Sequence, residues 1–98
     1  MKAKIKHRSK IMSNHYQILF QCINFKNQRC LFFGNMKMDL ILIKDALNLI
    51  NASFDLTLNN DVCKIKLENG SKMIFMNDIT DMDLTGMKFD ITHIHESQ

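Results

Sequence analysis

Glu68-Asn-Gly-Ser-Lys-Met-Ile-Phe75 and, further on, Asp83-Leu-Thr-Gly-Met-Lys-Phe-Asp-Ile-Thr-His-Ile-His-Glu96 carry the strongest local signals in this chain. Asn69-Gly70 sits between two runs of alternating apolar and polar residues, Val62 to Glu68 and Ser71 to Asn77. An Asn-Gly pair so flanked is the strongest short signal for a β-hairpin, and the type I′ turn it predicts needs positive φ at both residues. The second part predicts a linker ending in Gly86, then a hydrophobic strand from Phe89 to His95 that delivers Glu96 at its C-terminal end.

Working outward, Phe54 to Leu58 reads as another strand, joined to Val62 through the turn Asn59-Asn60-Asp61. Arg29-Cys-Leu-Phe-Phe33 is a short continuous apolar run stopped by Gly34-Asn35, as in a strand buried on both faces. Two helices are expected. Ser13 is placed to cap one that runs to about Lys26, with Met12, Tyr16, Leu19, Phe20 and Ile23 on its apolar stripe. Asp39 is placed to cap the other, which runs to about Ala52 with Leu40, Ile43, Leu47 and Ile50 on one face. The fold class expected is α/β, three-layer-like, with two helices packed on a sheet of four to six strands that includes a β-hairpin.

The chain has 98 residues, 46% of them hydrophobic and 23% charged, which is ordinary globular composition and fits one domain spanning residues 1–98. No apolar run approaches the roughly 18 residues of a membrane span, so no membrane partner is expected. The basic N-terminus has no apolar segment beside it and does not read as a secretory signal. Cys22, Cys30 and Cys63 are odd in number and embedded in apolar segments, the pattern of reduced, buried thiols in a cytoplasmic protein.

Charge divides the chain. Eight of the 13 Lys and Arg precede residue 39, whereas all 10 Asp and Glu lie from Asp39 onward. In an extended backbone Lys2, Lys4, Lys6, Arg8 and Lys10 share one side, a basic ribbon suited to phosphate of a nucleic acid or a nucleotide. No aromatic residue is interleaved with these lysines, so no base-stacking surface is expected there.

The Asn-Gly-Ser turn, the Gly86-to-Asp90 step and the strand closing at His95-Glu96 resemble the ATPase core of phage terminase large subunits, which are P-loop proteins that package DNA. The resemblance implies a partial P-loop NTPase-like sheet and a truncated terminase-like ATPase domain, viral in origin and working in the host cytoplasm. It sets Lys6-His-Arg-Ser-Lys-Ile-Met-Ser13 in place of the family's phosphate loop, with Lys10 and Arg8 toward the phosphates and Lys6 beside them. It also sets Glu96 in the place of the carboxylate that activates water, and His95 in the place of the acid that holds magnesium.

The chain departs from that pattern where the chemistry is done. A phosphate loop turns successive N–H groups inward and needs glycine to do so, yet Lys6 to Ser13 contains none. Ile11 stands where a hydroxyl would hold magnesium, and the imidazole of His95 is a poor ligand for that hard cation. The expectation is therefore degenerate Walker motifs and no ATP turnover; ATP and magnesium are the cofactors the resemblance implies if activity survived. The alternative function is a small non-enzymatic interaction protein, an inhibitor or accessory factor with a protein partner or a second copy of itself.

Three further features stand out. His93 and His95 share one strand face, a spacing found in transition-metal sites, with His7, His15 or a cysteine as further ligands. Met73, Met76, Met82 and Met87 read as gap-filling core or as an adaptable surface. Asp78, Asp81, Asp83 and Asp90 make an acidic patch around Gly86 without the spacing of a calcium loop.

Overall fold

The structure, a computed structural model, describes residues 10–59, 61–77 and 88–94. In chain order it contains β1 (Lys10–Ile11), α1 (His15–Asn24), β2 (Arg29–Phe33), α2 (Met36–Leu49), β3 (Phe54–Asn59), β4 (Val62–Leu67), β5 (Lys72–Met76) and β6 (Ile91–Ile94). Among the described residues the strands form one mixed sheet of six, in the order β1-β6-β2-β5-β4-β3. β1, β6, β2 and β5 run parallel, and β4 is antiparallel to both of its neighbours. The described residues are thus α/β, with a mixed sheet and two helices, as the alternation of periods predicts.

Both helices are crossovers between parallel strands and both contribute to a single core. Ile18, Leu19 and Cys22 of α1, and Ile43, Ala46 and Leu47 of α2, close on Cys30, Phe32, Ile65, Met73, Phe75 and Ile91 of the sheet. The opposite sheet face carries a smaller cluster of Leu31, Met76 and Phe89, edged by Phe33, Val62 and Ile74. The described residues therefore make two layers, where three were expected, because both crossovers lie on one side.

α1 starts one residue later than expected. Asn14, not Ser13, is the cap: its Oδ1 accepts from Tyr16 N at 2.9 Å and Gln17 N at 3.1 Å. The buried stripe also differs, because Tyr16, Phe20 and Ile23 face outward at 60%, 70% and 38% exposure. This helix is apolar on most sides, so its period cannot say which side meets the sheet. In α2 the cap is Asn35, whose side chain accepts from Met38 N, and Asp39 lies one turn inside the helix. Asp39, Ile43, Ala46 and Leu47 form the regular core stripe of α2, so a carboxylate occupies a core position. Ile50 ends the helix and is half exposed.

The hairpin is where predicted, but its turn is not type I′. Gly70 has φ +89 whereas Asn69 is not among the residues with positive φ. Gly70 N donates to Leu67 O at 3.1 Å and Leu67 N donates to Ser71 O at 2.8 Å, the pattern of a turn closed by a glycine bulge. The extra residue sets the register. A two-residue turn would set Leu67 opposite Lys72, whereas here Lys66 faces Lys72 and Ile65 faces Met73. Only the bulged register keeps Ile65, Leu67, Met73 and Phe75 together on the helix face.

The same turn holds down α1. Asn69 Nδ2 is within hydrogen-bonding distance of Cys22 O (2.9 Å), Ile23 O (3.0 Å) and Phe25 O (3.3 Å), the carbonyls that a helix leaves free at its C-terminus. Ser71 Oγ donates to Cys22 O at 2.8 Å and accepts from Gln28 N at 3.1 Å. A Cβ on Gly70 would run into Asn27 Oδ1. Asn69-Gly70-Ser71 is therefore both a strand turn and a cap for α1.

Candidate functional site

Cross-strand pairing lines up charges on the face without helices. One row runs Asp55, Lys66, Lys72, Arg29 across β3, β4, β5 and β2, and the next runs Thr57, Lys64, Ile74, Leu31. Lys88, just before Phe89, joins them, and with the residues of both rows except Leu31 it lines a groove of about 530 Å³. Arg29, Lys64, Lys66, Lys72 and Lys88 bring five cations to it, against the single carboxylate of Asp55. Among the described residues none of these cations makes an ion pair. Asp90 lies close, but its Oδ2 accepts from the Arg29 backbone N–H at 3.0 Å. Like charges set directly opposite each other in a sheet destabilise it by about 0.5 kcal/mol per pair. Lys66, Lys72 and Arg29 form two such pairs. A polyanion on this face would turn that repulsion into attraction.

Lys10 is exposed on β1 and pairs with Ile91, which places it on the helix face at the sheet edge, away from the groove. It lies in a strand, and only Met12, Ser13 and Asn14 separate β1 from α1. Lys6, Arg8, His95 and Glu96 lie outside the described residues, as do Gly86, Asp78, Asp81 and Asp83. The groove cations were missed at the level of sequence because a lysine alternating along a strand reads as an ordinary solvated face. The two-residue turn read from the sequence would not form this row, because it is the bulged register that puts Lys66 opposite Lys72.

A second constellation lies under the helices. His15 Nε2 donates to Asp39 Oδ1 at 2.7 Å, and His93 Nε2 stands 3.8 Å from the same oxygen. The two imidazole rings are 4.4 Å apart between centroids, and the ring of Phe32, stacked on Phe75, walls both. Asp39 is 0% and His93 5% exposed, whereas His15 reaches toward the surface. His93 Nδ1 donates to Met12 O at 2.9 Å, and Asp39 Oδ2 and His93 Nε2 have no hydrogen-bond partner among the described residues. The sequence offers His15 as a further ligand for His93, whereas Asp39 reads there as a helix cap. Its place on the core stripe of α2 was the available signal.

Cys22, Cys30 and Cys63 are buried thiols on the helix face, as expected. Burial pushes Cys30 well above the ordinary thiol range, and the neighbouring Cys22 and Asp39 add to this. Burial also raises Cys63, with Lys44 pulling the other way. No helix of the described residues is long and apolar enough to cross a membrane. No family model, curated protein or solved structure matches this chain.

Proposed function

We propose that this protein is a non-enzymatic domain that binds nucleic-acid phosphate on the open face of its sheet. The observation that carries this is the unpaired row Lys66, Lys72, Arg29, reinforced by Lys64 and Lys88 in one groove. The ligand is read as backbone rather than base, because five cations dominate the charge of the groove and Phe89 is the one aromatic side chain among its lining residues. The basic segment with Lys6, Arg8 and Lys10 adds charge from elsewhere on the chain.

Binding of a fluorescent duplex oligonucleotide, followed by anisotropy across a salt series, tests this. With four to five phosphate contacts the affinity should fall with a log–log slope of about −4. Lys64→Ala, Lys66→Ala and Lys72→Ala together should weaken binding about tenfold or more. If Lys6→Ala, Arg8→Ala and Lys10→Ala abolish binding while the groove variant has none of that effect, the ribbon and not the groove is the site.

Descent from a terminase-like ATPase remains part of this proposal and rests on the resemblance of residues 68–75 and 83–96. β1 lying parallel beside β6 is compatible with it. The Asn-Gly-Ser turn, however, has a sufficient local reason in the capping of α1. No magnesium-dependent ATP turnover is expected. Turnover in the wild type that Glu96→Gln stops would restore the hydrolase reading.

A second reading, an interaction protein with a protein partner, has α1 in its favour. Tyr16, Phe20 and Ile23 present a continuous apolar stripe outward. Sedimentation that is monomeric for Phe20→Ser but self-associating for the wild type would support it through a second copy.

A further inference from the structure

The geometry points to a buried transition-metal site formed by His15, Asp39 and His93, with zinc as the ion its donors suit best. Met12 O can only accept, so the proton it receives comes from His93 Nδ1. That leaves Nε2 of the neutral ring as a bare lone pair. This lone pair faces Asp39 Oδ1 at 3.8 Å, too far for a hydrogen bond, inside a pocket walled by Phe32. Asp39 Oδ2 is a second acceptor in the same enclosure without a partner. Unpartnered acceptors on neighbouring buried groups are costly, and a cation between them removes the cost for both.

The details fit a metal better than a proton alone. An imidazole that donates Nδ1–H to a backbone carbonyl has Nε2 oriented and made more basic, which is how metal-bound histidines are ordinarily held. The donor atoms of all three residues lie within 4.8 Å of one another. Around one zinc, with bonds of about 2.0–2.2 Å, donors sit roughly 3–3.5 Å apart, so ångström-scale shifts suffice. His15 gives up its hydrogen bond to Asp39 to become a ligand, and both histidines bind as neutral rings. Two imidazoles with one carboxylate favour zinc or cobalt over magnesium or calcium, which take oxygen donors. His15, partly exposed, stands on the solvent side, where water completes the coordination.

The ligands come from three places: the start of α1, the core stripe of α2, and the middle of β6. A bound ion therefore ties both helices to the parallel part of the sheet. It is independent of the cationic groove, which opens on the other face.

Titration of the whole protein, stripped with a chelator, with cobalt and then zinc tests the site. Cobalt should give a visible absorption band that zinc abolishes, and zinc at one hundred times its Kd should raise Tm by roughly 10 °C or more. His15→Phe, which keeps a ring against Phe32, and Asp39→Asn should each weaken zinc about tenfold or more. Circular dichroism in chelator checks that both variants stay folded. His7→Ala with His95→Ala should leave binding within about twofold. Absence of both the cobalt band and the zinc shift in the wild type overturns the site. So does loss of binding in the His7/His95 variant with none in His15→Phe.

Discussion

The two faces of the sheet are built from the same strands and obey opposite rules. The helix face is closed by apolar side chains, yet it keeps one carboxylate and two imidazoles in its interior. The open face keeps a small apolar cluster at one end and gathers cations at the other. β4 shows the division along a single strand: Cys63, Ile65 and Leu67 go inward, and Lys64 and Lys66 go outward. The lesson is that stability and binding are separated by the period of the β-strand. What binds can change without disturbing what folds, except at the turn that fixes the register.

The largest effect expected tests which side of α1 belongs to the closed face. Ile18→Ala should cost about 3 kcal/mol, because it leaves a cavity in a dense core, whereas Phe20→Ala should cost less than about 0.5 kcal/mol. Chemical denaturation compares them. A larger loss for Phe20→Ala than for Ile18→Ala would mean that α1 packs by the stripe its sequence suggests.

Next comes the turn that holds both faces in register. Gly70→Val introduces a branched side chain at φ +89 and into Asn27 Oδ1, which also disturbs the cap on α1. A loss of about 2–3 kcal/mol is expected, read as a lower Tm. A neutral result would show that the bulge is not needed for the register.

The closed face should also weaken in alkali. Cys30 has its folded pKa raised by burial, so the folded state holds its proton more tightly than the unfolded chain does. The stability this represents is complete below the unfolded thiol value, about 8.5–9, and is lost as pH rises above it. Tm should therefore fall as pH rises above about 8.5, less steeply for Cys30→Ala than for the wild type. Parallel curves for the two proteins would count against burial of the thiol.

The smallest effect is on the open face, and its sign matters more than its size. Lys72→Thr removes the central charge of the row and with it both like-charge pairs, so it should stabilise the fold by up to about 1 kcal/mol while weakening oligonucleotide binding. A variant that loses stability along with binding would break the separation of the two faces.

Much of this was legible in the chain. Val62–Leu67 and Lys72–Met76 announce strands by their alternation, Arg29–Phe33 by its shortness and its stop at Gly34-Asn35, and Asn69-Gly70 announces the turn between the first two. Local chemistry suffices there, since neighbours in sequence decide the outcome. The side of α1 that is buried was not legible, because its apolar residues span more than half of the circumference, opposite Gln17, Gln21 and Asn24, and only the sheet beneath it selects Ile18 and Cys22. Nor was the role of Asp39, which in sequence is a plausible cap and in space is a core position between two histidines 24 and 54 residues away along the chain. The cation row depended on a single extra residue in the turn, which shifts the pairing of β4 and β5 by one and so decides which side chains share a face. Local sequence suffices for the order of helices and strands and for the α/β character of the described residues. Tertiary structure alone decided which charges meet, because meeting depends on register and crossover side, and these are settled by contacts between residues far apart in the chain.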